Sequence, residues 1–348
     1  AYSRSIEQLG EDLLIIRPTI LVTVPRIFER VYNKIKLQLA EKPPIASKLF
    51  DAAVKIGWQR FLKHQGREHK TLPLLFWPLL NRLVAHKIFQ KLGGRLRMAV
   101  SGGAPLSVDV AQTFIGLGLT ITQGYGMTEL SPVVSGNRLA DNEPASVGQP
   151  LPDVEVKLAK ENELLVRSPG IMLGYWNNPK ATAEIIDEDG WLHTGDVAHI
   201  ERDHIYITGR LKEIIVLANG EKIPPADLEL AISTDPLFEQ AMIVGEGKPF
   251  LSALVVLNRI NWEKLAEALS VPADKESSLD HPDVQNELLK RIKDKLAAFP
   301  GYAKIFRVVA TLEPWTVEAG LITPTLKLKR NCMIDRYEDI IIGMYEGH

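Results

Sequence analysis

Apolar and polar positions recur along this chain in blocks whose period changes from one stretch to the next. Leu21-Val22-Thr23-Val24, entered through Arg17-Pro18 and closed by Pro25, predicts a strand within 11–26, and 31–39 carries helical spacing. Residues 45–92 keep the helical period, with interruptions expected around Pro73 and Pro78, where the backbone loses a donor. Residues 93–135 predict two strand–loop–helix units. Met98-Ala99-Val100 runs into Ser101-Gly102-Gly103-Ala104-Pro105-Leu106, with a helix from about Ser107. Leu117-Gly118-Leu119-Thr120-Ile121-Thr122 predicts a buried strand ending in a loop, Gln123-Gly124-Tyr125-Gly126-Met127-Thr128-Glu129. From 145 to 208 the pattern shortens to strands and turns, as at 154–158 and 163–166.

A second shift falls near Gly209. The run 213–217, then Asn219-Gly220, then Lys222-Ile223 predicts a hairpin with a type I′ turn. Pro225 opens a helix over 226–232, 240–244 and 251–257 predict strands, 282–299 an amphipathic helix and 305–311 a strand. The expected fold class is α/β: residues 1–208 form a larger domain with a β-rich subdomain at 145–208, and 209–345 a small α+β domain. No repeat or low-complexity linker separates them.

Composition narrows the class. The 348 residues carry 45% hydrophobic and 24% charged side chains with a net charge of −2, as in a globular protein with no bias toward nucleic acid. The single cysteine, Cys332, excludes an intrachain disulfide and fits a reducing, cytoplasmic setting. No stretch reaches the roughly 18 apolar residues that span a bilayer. Ala1-Tyr2-Ser3-Arg4-Ser5 is not a signal peptide, and Glu346-Gly347-His348 reads as the remnant of a tag; both ends suggest a piece of a longer protein.

The chemistry concentrates in a few segments. Gly124 and Gly126 flank Tyr125, which lets a backbone approach a flat ligand while the ring stacks on it. Thr128 and Glu129 offer a hydroxyl and a hard carboxylate suited to phosphate and Mg²⁺. Ser101-Gly102-Gly103-Ala104-Pro105 is a second glycine-rich turn that could lie along a base. In Trp191-Leu192-His193-Thr194-Gly195-Asp196 a carboxylate follows a turn and can accept from two ribose hydroxyls. Gly209-Arg210-Leu211-Lys212 places two cations at the domain boundary, and Thr323-Pro324-Thr325-Leu326-Lys327-Leu328-Lys329-Arg330 is a basic run that could bring a lysine to a phosphoryl centre. Each segment taken singly also fits a bland reading: a tight turn, a locally bonded Asp, solvated charges or a basic patch. His193, His199 and His204 lack the spacing of a metal site.

In this order, together with Val147-Gly148-Gln149-Pro150 and Pro169-Gly170-Ile171-Met172-Leu173-Gly174-Tyr175-Trp176 before Asn178-Pro179, the segments resemble the adenylate-forming superfamily of acyl-CoA synthetases, peptide-synthetase adenylation domains and firefly luciferase. Arg17-Pro18-Thr19, Val24-Pro25-Arg26-Ile27-Phe28-Glu29 and the run 323–330 are similar to long-chain fatty-acid–CoA ligases. Other branches usually carry a Gly-Lys pair where this chain has Leu326-Lys327.

The resemblance implies the C-terminal portion of a large AMP-binding domain followed by a small C-terminal domain, and a two-step activation of long-chain fatty acid by ATP and then coenzyme A, with Mg²⁺. Tyr125 would stack on adenine within the segment Gln123 to Met127, with Gly102, Gly103 and Ala104 lining the base. Asp196, helped by Arg210, would hold the ribose. Thr128 would contact the α-phosphate, Glu129 would bind Mg²⁺ and Lys327 would steady the charge that develops in adenylation. Lys212 would stand at the family's hinge, and Gly220 would line the approach of coenzyme A. The family's phosphate-binding loop, a Ser/Thr/Gly-rich run ending in Pro-Lys, and an upstream His-bearing segment do not occur in these residues. The expectation is an N-terminally incomplete ligase, inactive in adenylation by itself. The alternatives are a fatty-acyl-AMP ligase that loads a carrier protein and a non-catalytic nucleotide-binding fragment.

One region lies outside that frame. Residues 45–95 hold ten Lys and Arg against two acids, Asp51 and Glu68, around the apolar run Leu72-Pro73-Leu74-Leu75-Phe76-Trp77-Pro78-Leu79-Leu80. This composition suits peripheral contact with the inner face of a membrane, or a helix pair packed on the core.

Overall fold

The computed structural model describes residues 2–4, 8–67, 72–323 and 325–347. Ala1 and Ser5 of the N-terminal reading, Glu68 and Lys70 of the basic stretch, Pro324 of the C-terminal run and the terminal His348 lie outside the described residues. The chain divides into two compact units, Ala1–Ile207 and Thr208–His348.

In the first unit a helix α1 (Leu9–Ile16) precedes β1 (Ile20–Thr23), α2 (Pro25–Ala40) and α3 (Pro44–His64). A helical run follows in short pieces: a 3₁₀ turn Leu72–Phe76, α4 (Trp77–Leu80), a π turn Asn81–Ala85 and α5 (His86–Gln90). The interruption expected around Pro78 takes the form of a change of helix type: the 3₁₀ turn ends at Phe76 and Pro78 stands in the first turn of α4, where its missing N–H costs nothing. Strands β2 (Met98–Ser101) and β3 (Thr120–Gly126), joined by α6 (Val108–Gly116), are parallel to each other, and β1 is parallel to β2. β4 (Val133–Gly136) and β5 (Gln149–Pro150) complete the sheet in antiparallel fashion, in the order β1-β2-β3-β4-β5. Phe28, Ala99, Val110, Phe114 and Ile121 fuse α2 and α6 to this sheet. A second sheet is built from β6 (Glu155–Leu158), β7 (Glu163–Arg167), β8 (Leu192–Glu201) and β9 (His204–Arg210), in that order, with α7 (Pro179–Ile185) between β7 and β8.

The predicted strand at 117–122 begins later than its hydropathy suggests. Helix α6 closes with the Leu119 N–H bonded to the Phe114 carbonyl at 3.0 Å and the Gly118 N–H to the Ile115 carbonyl at 2.9 Å, with Gly118 at φ +102°. This paired closure uses glycine in the left-handed region and consumes Leu117 and Gly118 as a helix cap. The strand therefore runs from Thr120 through Gly126, so Gln123–Gly126 of the motif expected in a loop form the end of the strand and only Met127, Thr128 and Glu129 lie beyond it.

The second unit contains a two-stranded ribbon β10 (Ile215–Val216) and β11 (Lys222–Ile223), then α8 (Pro225–Ile232). Its three-stranded sheet has the order β12 (Phe238–Val244), β13 (Leu251–Leu257), β14 (Ile305–Thr311), with α9 (Arg259–Leu269) and α10 (Pro282–Lys295) between the last two strands. Two terminal helices, α11 (Arg330–Arg336) and α12 (Glu338–Gly343), follow. All seven residues of β13 are buried, alternately between two apolar clusters. A strand covered on both faces needs no polar alternation, which is why 251–257 is apolar at every position but Ser252.

Candidate functional site

In the first unit the register Ser101↔Gln123 brings the turn after β2 alongside the end of β3. Gly103 adopts φ +82°, and a Cβ added there would meet open space; one on Gly102 would lie 3.6 Å from the Gly124 carbonyl oxygen. This turn is therefore an open backbone surface next to Tyr125. The two motif glycines answer to a different need. A Cβ on Gly126 would lie 1.8 Å from the Pro132 carbonyl oxygen, and one on Gly124 would lie 3.1 Å from that of Ser135. Their absent side chains admit β4 and its approach rather than a ligand. Gln123 is buried; its Oε1 accepts from the Leu106 N–H at 3.3 Å and its Nε2 donates to the Pro144 carbonyl at 2.5 Å. Its side chain thus clamps the glycine turn to the 144 loop instead of facing solvent. Ala104 lies in that turn, between Gly103 and Pro105.

Two residues 71 positions apart meet directly. The Tyr125 hydroxyl donates to Oδ2 of Asp196 at 2.5 Å. Asp196 is buried on β8 and its own N–H donates to Thr194 Oγ1 at 3.1 Å, while the Thr194 hydroxyl donates to the Leu164 carbonyl at 2.7 Å. The turn expected before Asp196 is the start of β8 itself, with Gly195 at φ +69°, and Glu163 at the start of β7 holds it: Oε1 accepts from the Gly195 N–H at 3.0 Å and Oε2 pairs with His193 Nδ1 at 2.9 Å. The sequence gives no motif for Glu163; the one clue is an acid opening the apolar strand Leu164-Leu165-Val166. His199 stacks on Tyr206 and His204 Nδ1 bonds the Arg202 carbonyl, so all three histidines have local partners.

Beyond β3, Thr128 is exposed and opens a 3₁₀ turn with half-buried Glu129. Glu129 Oε1 accepts from the Tyr175 hydroxyl at 2.9 Å, and its carbonyl accepts from the Met172 N–H at 2.8 Å. Burial and then the bond to Glu129 push the Tyr175 hydroxyl up, so it stays a donor at neutral pH. Thr128 and Glu129 supply hard oxygen donors of the kind Mg²⁺ takes one or two at a time while keeping water and phosphate ligands. Among the described residues no group of three His, Cys, Asp or Glu gathers around one point. The donor set therefore fits a cation arriving with a nucleotide.

The remaining candidates lie in the second unit. Arg210 ends β9 and Lys212 follows in a 3₁₀ turn, both exposed. Gly220 closes a three-residue loop, with the Leu217 N–H bonded to the Glu221 carbonyl at 2.9 Å and the Gly220 N–H to the Leu217 carbonyl at 2.8 Å. Within this loop φ is positive only at Gly220, +86°. The expected type I′ turn needs positive φ at both central residues, so the loop is one residue longer and of the bulged class. The same bonding recurs before Lys327: the Thr323 N–H bonds the Lys327 carbonyl at 2.8 Å and the Leu326 N–H bonds the Thr323 carbonyl at 2.8 Å. Leu326 occupies the position of Gly220, at φ +64°. Lys327 itself is exposed, and its N–H donates to Thr323 Oγ1 at 3.0 Å. Nearby, Arg330 joins Glu229 and the Ile243 carbonyl and lies 3.6 Å from Glu213. Burial pushes the Glu229 carboxyl up, and Arg330 pulls it back.

A family described as AMP-binding enzyme matches residues 3–176, and one described as AMP-binding enzyme C-terminal domain matches residues 212–348. A long-chain-fatty-acid–CoA ligase, FadD15 of Mycobacterium bovis, is 34% identical over 349 residues, covering 99% of this chain and 57% of that protein. The long-chain-fatty-acid–[acyl-carrier-protein] ligase AEE15, chloroplastic, of Arabidopsis thaliana is 27% identical over 391 residues, 98% of this chain and 52% of that protein. The chain thus spans little more than half the length of these relatives. Among solved structures, the A domain of carboxylic acid reductase from Segniliparus rugosus, in complex with AMP and a co-purified carboxylic acid, superposes with a TM-score of 0.70 at 25% identity, over 98% of this chain and 49% of that one.

Proposed function

Because this chain belongs to the AMP-binding enzyme family, we propose that it is the part of a long-chain fatty-acid–CoA ligase that holds the adenosine end of ATP. In that reaction a fatty carboxylate oxygen attacks the α-phosphorus and pyrophosphate leaves. The coenzyme A thiol then attacks the acyl carbonyl and AMP leaves with the anhydride oxygen. The observation that carries the reading is the contact between the Tyr125 hydroxyl and the buried Asp196 carboxylate beside the open turn at Gly102 and Gly103.

A carboxylate kept in place by Thr194 and Glu163 is a preorganised acceptor for ribose hydroxyls, and Arg210 would assist it. Tyr125 presents a ring for the base, with Gly102, Gly103 and Ala104 along its edge. Thr128 would bond the α-phosphate. Glu129, oriented by Tyr175, would hold Mg²⁺, which supplies charge neutralisation of the phosphates when bound. Lys327 would offset the charge that develops as pyrophosphate departs. Lys212 would act in the change between half-reactions and Gly220 would border the coenzyme A arm.

The similarity to AEE15, named for an acyl-carrier-protein acceptor, supports a second reading in which the adenylate passes to a carrier thiol. Offering phosphopantetheine on a carrier in place of coenzyme A separates the two.

The first test is pyrophosphate release by the 348-residue chain with Mg·ATP and a palmitate-length fatty acid, alongside calorimetric binding of AMP. These residues contain no Ser/Thr/Gly-rich run ending in Pro-Lys to hold the outer phosphates. Without one, several kcal/mol of transition-state stabilisation are expected to be missing. AMP binding that Asp196→Ala abolishes, with little pyrophosphate release, supports the reading. Rapid release refutes the inactivity, and AMP binding indifferent to Asp196→Ala refutes the site.

A further inference from the structure

The run from Leu72 to Gln90 packs on α3 through Leu80 and Ala85, which join Phe50 and Ala53 in one buried cluster. Trp77 turns inward over Gly57, with Arg60 5.6 Å above its ring. The opposite side carries a stripe that none of the described residues of this unit covers: Leu75 is 77% exposed, Phe76 62%, Leu79 57% and Leu83 42%. Leu75, Leu79 and Leu83 recur every four residues, Lys87 continues the spacing, and all four side chains are exposed.

Four large exposed hydrophobes in one stripe are unusual for a surface that meets only water. The charge around them chooses the occupant. From 72 to 108 the chain has no Asp or Glu, whereas Arg82, Lys87, Lys91, Arg95 and Arg97 are all exposed. An apolar stripe that gives way to a one-sign basic field fits an interface that is hydrocarbon below and anionic above.

We propose that the face formed by Leu75, Phe76, Leu79 and Leu83, with Arg82 and Lys87 beside it, seats this unit on an anionic phospholipid surface. The helical run lies in the headgroup plane with its leucines among the acyl chains and its cations among the phosphates. The attachment proposed for this face is peripheral, and no helix among the described residues is long and apolar enough to cross a membrane. The inference does not rest on the nucleotide chemistry, although a surface in which long-chain acids partition would suit the proposed substrate.

The test is co-sedimentation of the full 348-residue chain with vesicles of phosphatidylcholine alone and of phosphatidylcholine with a quarter phosphatidylglycerol. Binding is expected to the anionic vesicles and to weaken with salt. It should fall on the order of tenfold or more in Leu79→Ser/Leu83→Ser. The double variant Arg82→Gln/Lys87→Gln, at two exposed positions, should lose the preference for anionic lipid with unchanged thermal unfolding. Equal binding to both vesicle types, no binding, or binding unaffected by either double variant overturns the proposal. So does a concentration-dependent dimer abolished by Leu79→Ser/Leu83→Ser, which would assign the face to self-association.

Discussion

Leu326 occupies a backbone conformation that favours glycine, immediately before the lysine proposed to act on the phosphates. Two substitutions separate its side chain from its backbone. Leu326→Ala and Leu326→Gly remove the same packing against the cluster of Trp315, Leu321, Ile322 and Met333. For a partly buried leucine that loss is about 1–2 kcal/mol. Alanine keeps the left-handed penalty of roughly 1–2 kcal/mol, whereas glycine relieves it. Glycine gives back part of that gain through the greater freedom of its unfolded chain. The balance leaves Leu326→Gly more stable than Leu326→Ala by about 0.5–1 kcal/mol, the reverse of the order in an ordinary helix or strand. Gly220 provides the internal control: it fills the equivalent position of the other loop, so Gly220→Ala should cost about 1 kcal/mol with no packing change, since a Cβ there meets open space. The assay is the urea midpoint of the second unit, followed by the fluorescence of buried Trp315. An alanine variant as stable as the glycine variant would refute the reasoning, because it would mean that the loop relaxes out of the left-handed region at no cost.

Two further predictions concern packing and titration. Gly57→Ala should lower the unfolding midpoint of the first unit by the equivalent of at least about 2 kcal/mol, although alanine is the better helix former by about 1. The added carbon would sit 1.7 Å from the Gly116 carbonyl oxygen, and backbone cannot yield as a side chain can; an unchanged midpoint in Trp fluorescence would contradict the close crossing of α3 and α6. Asp227 is pushed up to about 6 from 3.8 by burial. Its proton is held more tightly in the folded state, so its stabilising contribution is complete below about pH 3.8 and lost as pH rises through about 6. Two units correspond to about 3 kcal/mol, which the first turn of α8 trims to roughly 2 because it favours the carboxylate. Asp227→Asn should remove that loss, and parallel pH profiles for the two proteins would count against a raised pKa at half-buried Asp227.

Legibility followed the range of the interactions involved. The strand β13 and the helix beginning at Pro225 could be read residue by residue, since burial on two faces and a proline in the first turn are written in adjacent positions. The start of β3 could not, because Gly118 serves a cap whose bonds reach back to Phe114 and Ile115. An apolar run of six residues looks the same whether its first two belong to the strand or to the cap. The motif glycines were legible as a need for small residues but not as to what they admit: Gly126 makes room for Pro132, a partner revealed only by the pairing of β3 with β4. The Asp196 site shows the same limit at longer range. Tyr125 and Asp196 each stand in a recognisable segment, yet their hydrogen bond and the clamp by Glu163 depend on how two sheets meet. At 326 the hydropathy pattern fits the side chain, which packs on the Trp315 cluster, but is silent about the backbone. A leucine between polar residues predicts a buried side chain and says nothing of φ, and the backbone is legible only by comparison with the 217–221 loop, where glycine stands in the same place. Two loops with one bonding pattern and different residues at the left-handed position imply that the leucine is held there by its apolar contacts. The strain is then borne by the packing of the second unit rather than by the loop, and it sits next to the lysine proposed to act on the phosphates.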